Sequence, residues 1–172
     1  MERISSKRVY DGQISDVRID TFRRADGEEA EREIVGHPGA VGVVAHDDEK
    51  VFLVRQPREA VGEDDLLELP AGKLDVEGEE PIDCAKRELE EETGLRAGTW
   101  RELKRFFTTP GWSDEEVILF EATDLERSEP DPDEGEQIEL VEASLDDLAD
   151  LIADCRDAKS LIGLLTLRAR RP

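Results

Sequence analysis

The chain is poor in the residues that most often carry redox or metal chemistry: it has two cysteines, two histidines and one methionine in 172 residues. Cys84 and Cys155 lie far apart and match no metal-ligand spacing, which excludes a disulfide framework and predicts two reduced thiols in a cytoplasmic protein. His37 and His46 have no recognisable partner in the sequence and are assigned no chemistry. Nothing resembles a signal peptide, and no apolar run approaches the length of a membrane span. Positive charge is also scarce. Forty-five acidic residues against 23 basic ones give a net charge of −22 and a pI near 4.4. A surface of that sign argues against nucleic acid and anionic membrane as partners.

What the chain has in abundance is carboxylate. Arginine greatly outnumbers lysine, and the composition is similar to that of proteins from salt-accumulating microbes, where acidic side chains keep the surface hydrated. Molar salt shortens the Debye length to roughly 3 Å, so the self-repulsion would be screened there. An ordinary acidic cytoplasmic protein is the alternative.

The length suffices for one well-buried core and a small accessory unit. Short strand-like runs (Arg8 to Tyr10, Ile14 to Ile19, Glu33 to Val35) alternate with turn signals at Asp11-Gly12 and Asp26-Gly27. They predict a small antiparallel sheet with too few apolar residues to stand alone. His37-Pro38-Gly39 marks a boundary, dividing the chain into an N-terminal β unit over 1–38 and a main domain over 39–172. In the second part, Ala40 to Ala45 and Val51 to Val54 predict a hairpin. Leu66 to Leu69, Trp100 to Phe107, Val117 to Ala122 and Gln137 to Val141 are further strand candidates. Ser144 with Asp147 starts a helix, and Asp157 to Arg170 reads as a final amphipathic helix. Strands interspersed with a few helices give an α/β or α+β domain.

Between Gly72 and Leu95 the residues converge on chemistry. Pro81 suits a first helical position, Asp83 favours the helix dipole, and Gly94 suits a left-handed cap. Ile82, Ala85 and Leu89 form the buried stripe. On another face Glu88, Glu91 and Glu92 are related by i, i+3 and i+4, and Arg87 stands one turn before Glu91. Three crowded carboxylates need solvent or a cation, and oxygen-only ligands suit a hard ion such as Mg2+ or Mn2+. A solvated acidic face is the plainer alternative.

Gly72, Glu79, Arg87-Glu88-Leu89, Glu91-Glu92 and Gly94-Leu95 together resemble the Nudix box. Every spacing from Glu79 onward matches; the one departure is six residues, not five, between Gly72 and Glu79. The resemblance implies an αβα sandwich with a mixed sheet, and hydrolysis of a nucleoside diphosphate derivative with two or more Mg2+ or Mn2+ ions. It implies that Glu88 and Glu92 ligate metal with the Ala71 carbonyl, and that Glu91 ligates or supports them. Arg87, paired with Glu79, holds the glutamates in place, with a direct catalytic role as the alternative, while Gly72 and Gly94 serve structure.

Outside the box, Glu68 to Gly72, Gln56-Pro57-Arg58 and Pro110 to Glu115 are similar to the ADP-ribose pyrophosphatase group. That resemblance implies a homodimer exchanging its N-terminal sheets. It assigns Glu134 as the general base or the group orienting the attacking water, and Glu136 as a further metal ligand, although the acidic stretch around them also suits a solvated loop. It offers Arg58 for a substrate phosphate, which guanidinium matches bidentately, against a surface ion pair as the alternative. Trp112 and Glu115 are further substrate contacts, with Phe22 and Arg32 reaching the adenine from the partner chain. A Nudix hydrolase for another nucleoside diphosphate sugar or an oxidised nucleoside triphosphate is the competing enzyme. A non-catalytic ADP-ribose sensor is the competitor from another class.

Overall fold

The computed structural model describes residues 1–128 and 137–171, and the chain divides into two compact units. The first comprises Met1–Gly39 together with Phe106–Glu116. Its strands β1 (Glu2–Asp11), β2 (Asp16–Arg23) and β3 (Glu29–Gly36) form an antiparallel sheet in that order. These strands run longer than the short apolar runs suggest, because charged residues occupy both faces and hide the alternation. Asp20, at 0% exposure, lies at the centre of the sheet. It accepts hydrogen bonds from Ser6 Oγ, Arg3 Nη1 and Arg18 Nε, so ionic groups do here what apolar packing does elsewhere. Arg18 also donates to Asp114 at 2.6 Å, and the Asp114 carboxylate receives the His37 amide at 2.9 Å. Val35 N donates to the Trp112 carbonyl at 2.8 Å, which fixes the 109–115 turn on β3.

The second unit comprises Ala40–Arg105 and Val117–Pro172. Strands β4 (Ala40–His46) and β5 (Lys50–Arg58) form the expected hairpin. Asp47 closes it by accepting the amides of Glu49 and Lys50 on one carboxylate oxygen, the side-chain turn that aspartate favours. The hairpin then splits. β5 pairs with β6 (Glu63–Glu68) and β10 (Glu139–Ser144), whereas β4 pairs with the three-residue β7 (Ala71–Lys73). On its other edge β4 runs parallel to β9 (Glu116–Arg127), which neighbours β8 (Leu95–Phe107), so the sheet is mixed.

Helix α1 (Pro81–Thr93) starts at proline and ends at Gly94, whose φ of 63° lets its amide cap the Glu90 carbonyl at 2.8 Å. Ala85 and Leu89, both fully buried, pack with Val41, Val43, Phe52, Ile118 and Phe120. Cys84 joins that core, and burial pushes its thiol up to about 12, which leaves it an inert apolar filler. Helices α2 (Leu148–Asp154) and α3 (Ala158–Arg170) complete the unit. A Cβ on Gly163 of α3 would stand 2.5 Å from Leu69 Cδ1 and 2.9 Å from Val44 Cγ2. Val43 and Val44 alternate in direction along β4, so α1 covers one face of the sheet and α3 the other. This is the sandwich the sequence predicts. No helix among the described residues is long and apolar enough to cross a membrane.

Candidate active site

Helix α1 buries its apolar stripe and turns Glu88 and Glu92 toward Ala71 and Gly72. That segment is held along β4: Val43 N donates to the Pro70 carbonyl at 2.8 Å, and Val41 and Gly42 pair with Gly72 and Ala71. Glu92 is only 8% exposed, and its Oε2 accepts the Ala71 amide at 3.0 Å. A buried carboxylate requires such a donor, because an unsatisfied one would be strongly destabilising.

Glu88 lies directly over Gly72. A Cβ built at Gly72 would fall 1.9 Å from Glu88 Oε1 and 2.0 Å from its Cδ, so glycine is the residue that leaves room for this side chain. Arg87 closes the arrangement. Its Nε and Nη2 form a fork on Glu79 at 3.0 and 3.1 Å, while Nη1 donates to Glu88 Oε1 and Glu91 Oε2, each at 2.8 Å. The hydrogen bonds to Glu79 lead in raising the arginine's pKa, and the same pair holds Glu79 below the usual carboxylate range. One guanidinium therefore meets three of the four acids and offsets the repulsion that their helical spacing creates. Replacing Arg87 by Lys keeps the charge but loses the planar fork. We expect a cost of about 1.5–3 kcal/mol in urea unfolding, the range for hydrogen bonds to charged groups.

Arg58 stands in the same unit, at the end of β5. Its Nε and Nη2 fork onto the two oxygens of Glu68 at 2.6 and 3.0 Å. Glu68, 2% exposed, also receives Lys159 Nζ, which donates to Asp157 at 3.0 Å. Burial raises the Glu68 pKa, yet Arg58 and Lys159 outweigh it and hold the carboxyl below its ordinary value. Ser160 Oγ accepts the Leu69 amide at 2.7 Å and donates to Asp157, tying α3 to the segment before Ala71. The sequence offered no sign of Lys159 or Ser160: their partners lie 91 residues away, beyond any spacing rule.

Of the other residues singled out in the sequence, Trp112, Glu115, Phe22 and Arg32 belong to the first unit. Trp112 is 56% exposed, Glu115 accepts from Thr108 Oγ1 at 2.6 Å, and Arg32 donates to the Glu31 carbonyl. Glu134 and Glu136 lie outside the described residues.

The donor chemistry suits a hard divalent ion. Glu88 and Glu92 offer carboxylate oxygens beside the Ala71–Gly72 backbone, and Gly72 supplies the cradle. Among the described residues, no three histidine, cysteine, aspartate or glutamate side chains already form a ligand cluster; Arg87 bridges Glu88 and Glu91 instead.

An acid-lined helix thus stands over a mixed sheet, with arginine bridging its carboxylates. The family model for the NUDIX domain matches residues 36–162. An ADP-ribose pyrophosphatase of Bacillus subtilis (strain 168) is 38% identical over 172 residues, covering 97% of this chain and 92% of its own. An ADP-ribose pyrophosphatase of Mycobacterium tuberculosis is 47% identical over 125 residues, covering 72% of this chain and 60% of its own. Relatives at lower identity are named GDP-mannose pyrophosphatase. A crystal structure described as an ADP compounds hydrolase superposes with a TM-score of 0.84 at 23% identity, covering 98% of this chain and 92% of that one. The chain belongs to the Nudix family. It is a Nudix hydrolase, a pyrophosphohydrolase of the class whose members generally need divalent metal ions.

Proposed function

We propose that this enzyme hydrolyses the pyrophosphate bond of ADP-ribose or a related nucleoside diphosphate sugar, giving AMP and ribose 5-phosphate from ADP-ribose. The observation that carries the reading is the oxygen set of Glu88, Glu92 and the Ala71 backbone, held by Arg87, Glu79 and the Gly72 cradle. The names of the relatives from Bacillus subtilis and Mycobacterium tuberculosis support the choice of substrate.

A diphosphate repels nucleophiles by its own charge, so catalysis consists mainly of neutralisation and positioning. Glu88 and Glu92 would hold Mg2+ or Mn2+, two ions or more, with the Ala71 carbonyl as a backbone ligand. When bound, such ions polarise phosphoryl oxygens and lower the pKa of water. Glu91 supports the ligands, and Arg87, anchored on Glu79, keeps Glu88 and Glu91 aligned while the Ala71 amide holds Glu92. Arg58 places Nε and Nη2 on the two oxygens of Glu68, and we assign its remaining edge to a substrate phosphate. Glu134 is assigned as the base that takes the proton from the attacking water, and Glu136 as a further ligand, on sequence grounds. We assign Trp112 and Glu115 to substrate contact, and Phe22 and Arg32 to the adenine across a homodimer whose N-terminal sheets are exchanged.

A chromatographic panel of ADP-ribose, other nucleoside diphosphate sugars and oxidised nucleoside triphosphates with Mg2+ tests the assignment. ADP-ribose is expected to turn over fastest, with activity abolished by EDTA and restored by Mg2+ or Mn2+. No cleavage of ADP-ribose would remove it as the substrate. A preference for GDP-mannose would favour the second reading, which the relatives of that name support.

The charge of −22 has a kinetic consequence. It repels an anionic substrate over long range at low ionic strength, so the rate should rise as KCl is added. A rate highest in dilute buffer and falling steadily with salt would refute this.

A further inference from the structure

Arg58 is held by a carboxylate that by itself would cancel its charge. Both oxygens of Glu68 face the guanidinium, and Glu68 is too deeply buried for water to screen it. A phosphate approaching Arg58 would then meet a neutral pair. The second cation on Glu68 changes that balance. We propose that Lys159 is a positioning residue of the enzyme: by sharing Glu68 from behind, with Asp157 on its own far side, it draws part of that carboxylate's charge away from Arg58 and so leaves the guanidinium more attractive to the substrate's phosphates. The inference rests on the reading of Arg58 as a phosphate contact.

The geometry is built for this task. The Lys159 side chain is only 14% exposed, whereas Arg58 is 41% exposed, so the lysine is enclosed and the arginine reaches solvent. Lys159 stands in the first turn of α3, between the N-cap Asp157 and Ser160. Asp157 accepts from both of them, and it also accepts the Ser160 amide at 2.9 Å, which fixes the turn that carries the lysine. Ser160 in turn binds the amide of Leu69, the residue after Glu68. The start of the C-terminal helix thus sets both the charge behind Arg58 and the position of the strand leading to Ala71.

A double-mutant cycle separates this role from plain scaffolding. Affinity for inorganic pyrophosphate in Mg2+ is measured by calorimetry for the wild type, Lys159→Met, Arg58→Met and the double variant, with KM and kcat for ADP-ribose alongside. Lys159→Met should weaken pyrophosphate binding roughly 5- to 10-fold, the scale of coupling between charges in one network. It should raise KM by a similar factor while kcat changes less than about twofold. In the Arg58→Met background the same change should add nothing. Lys159→Arg should recover most of the loss. Lys159→Gln, which keeps a hydrogen-bond donor for Glu68 without the charge, should behave like Lys159→Met and carries the test if that variant does not fold. Equal losses in both backgrounds, or wild-type affinity in both Lys159→Met and Lys159→Gln, would overturn the proposal, as would a wild type with no pyrophosphate affinity. Coupled pyrophosphate binding in an enzyme that ignores ADP-ribose would support the role of Lys159 and refute only the choice of substrate.

Discussion

Glu92→Gln is expected to lower kcat by roughly 10²–10³-fold, the range for removing one preorganised electrostatic group at a reacting centre, while the protein remains folded. The amide is isosteric, and its oxygen can still accept the Ala71 amide that Glu92 Oε2 accepts at 3.0 Å. What disappears is the charge. Trading a charge-assisted hydrogen bond for a neutral one should cost about 1 kcal/mol of stability. Steady-state kinetics and a thermal melt on the same preparation separate the two effects. Full activity in this variant would mean that the acidic face of α1 is a solvated surface.

Gly72→Ala should produce a similar dissociation of function from stability, from the opposite side of the site. The new methyl would overlap Glu88 at Oε1, Cδ and Cγ, at 1.9, 2.0 and 2.4 Å. Those atoms belong to a flexible side chain, so the fold can relieve the clash by swinging Glu88 away from β7. Overpacking of this kind costs about 1–3 kcal/mol when the surroundings must yield, and here one carboxylate yields most. Catalysis has no such freedom: a displacement of about 1 Å at a reacting centre can cost on the order of 10²-fold. Turnover should therefore fall by about that factor while Mn2+ affinity, followed by calorimetry, weakens in parallel. Unchanged affinity would show that Glu88 does not depend on this cradle.

Which parts of the molecule could be read in advance follows from the range of the forces involved. Helix α1 was legible because its determinants are local: Pro81 at the start, Gly94 at the end, and Ala85 and Leu89 one turn apart between them. The Arg87–Glu91 contact follows from i, i+4 spacing, and the hairpin from Asp47 and its flanking valines. The N-terminal strands were read too short, since Glu, Arg and Asp occupy faces that apolar residues mark in ordinary sheets. Strand β7 left no trace, because Ala71–Lys73 is too short for a period and is held by β4 and Glu92 instead. Glu68 was noticed within its motif. Its burial against Arg58 and Lys159 was not, since that pairing exists only once α3 has packed across the sheet.

The most direct test is a crystal soaked in MnCl2 and measured for anomalous scattering. Peaks are expected between the carboxylates of Glu88 and Glu92 and the Ala71 carbonyl, with Arg87 still forked on Glu79. A map with no manganese there, and Glu88, Glu91 and Glu92 turned toward bulk water, would contradict this.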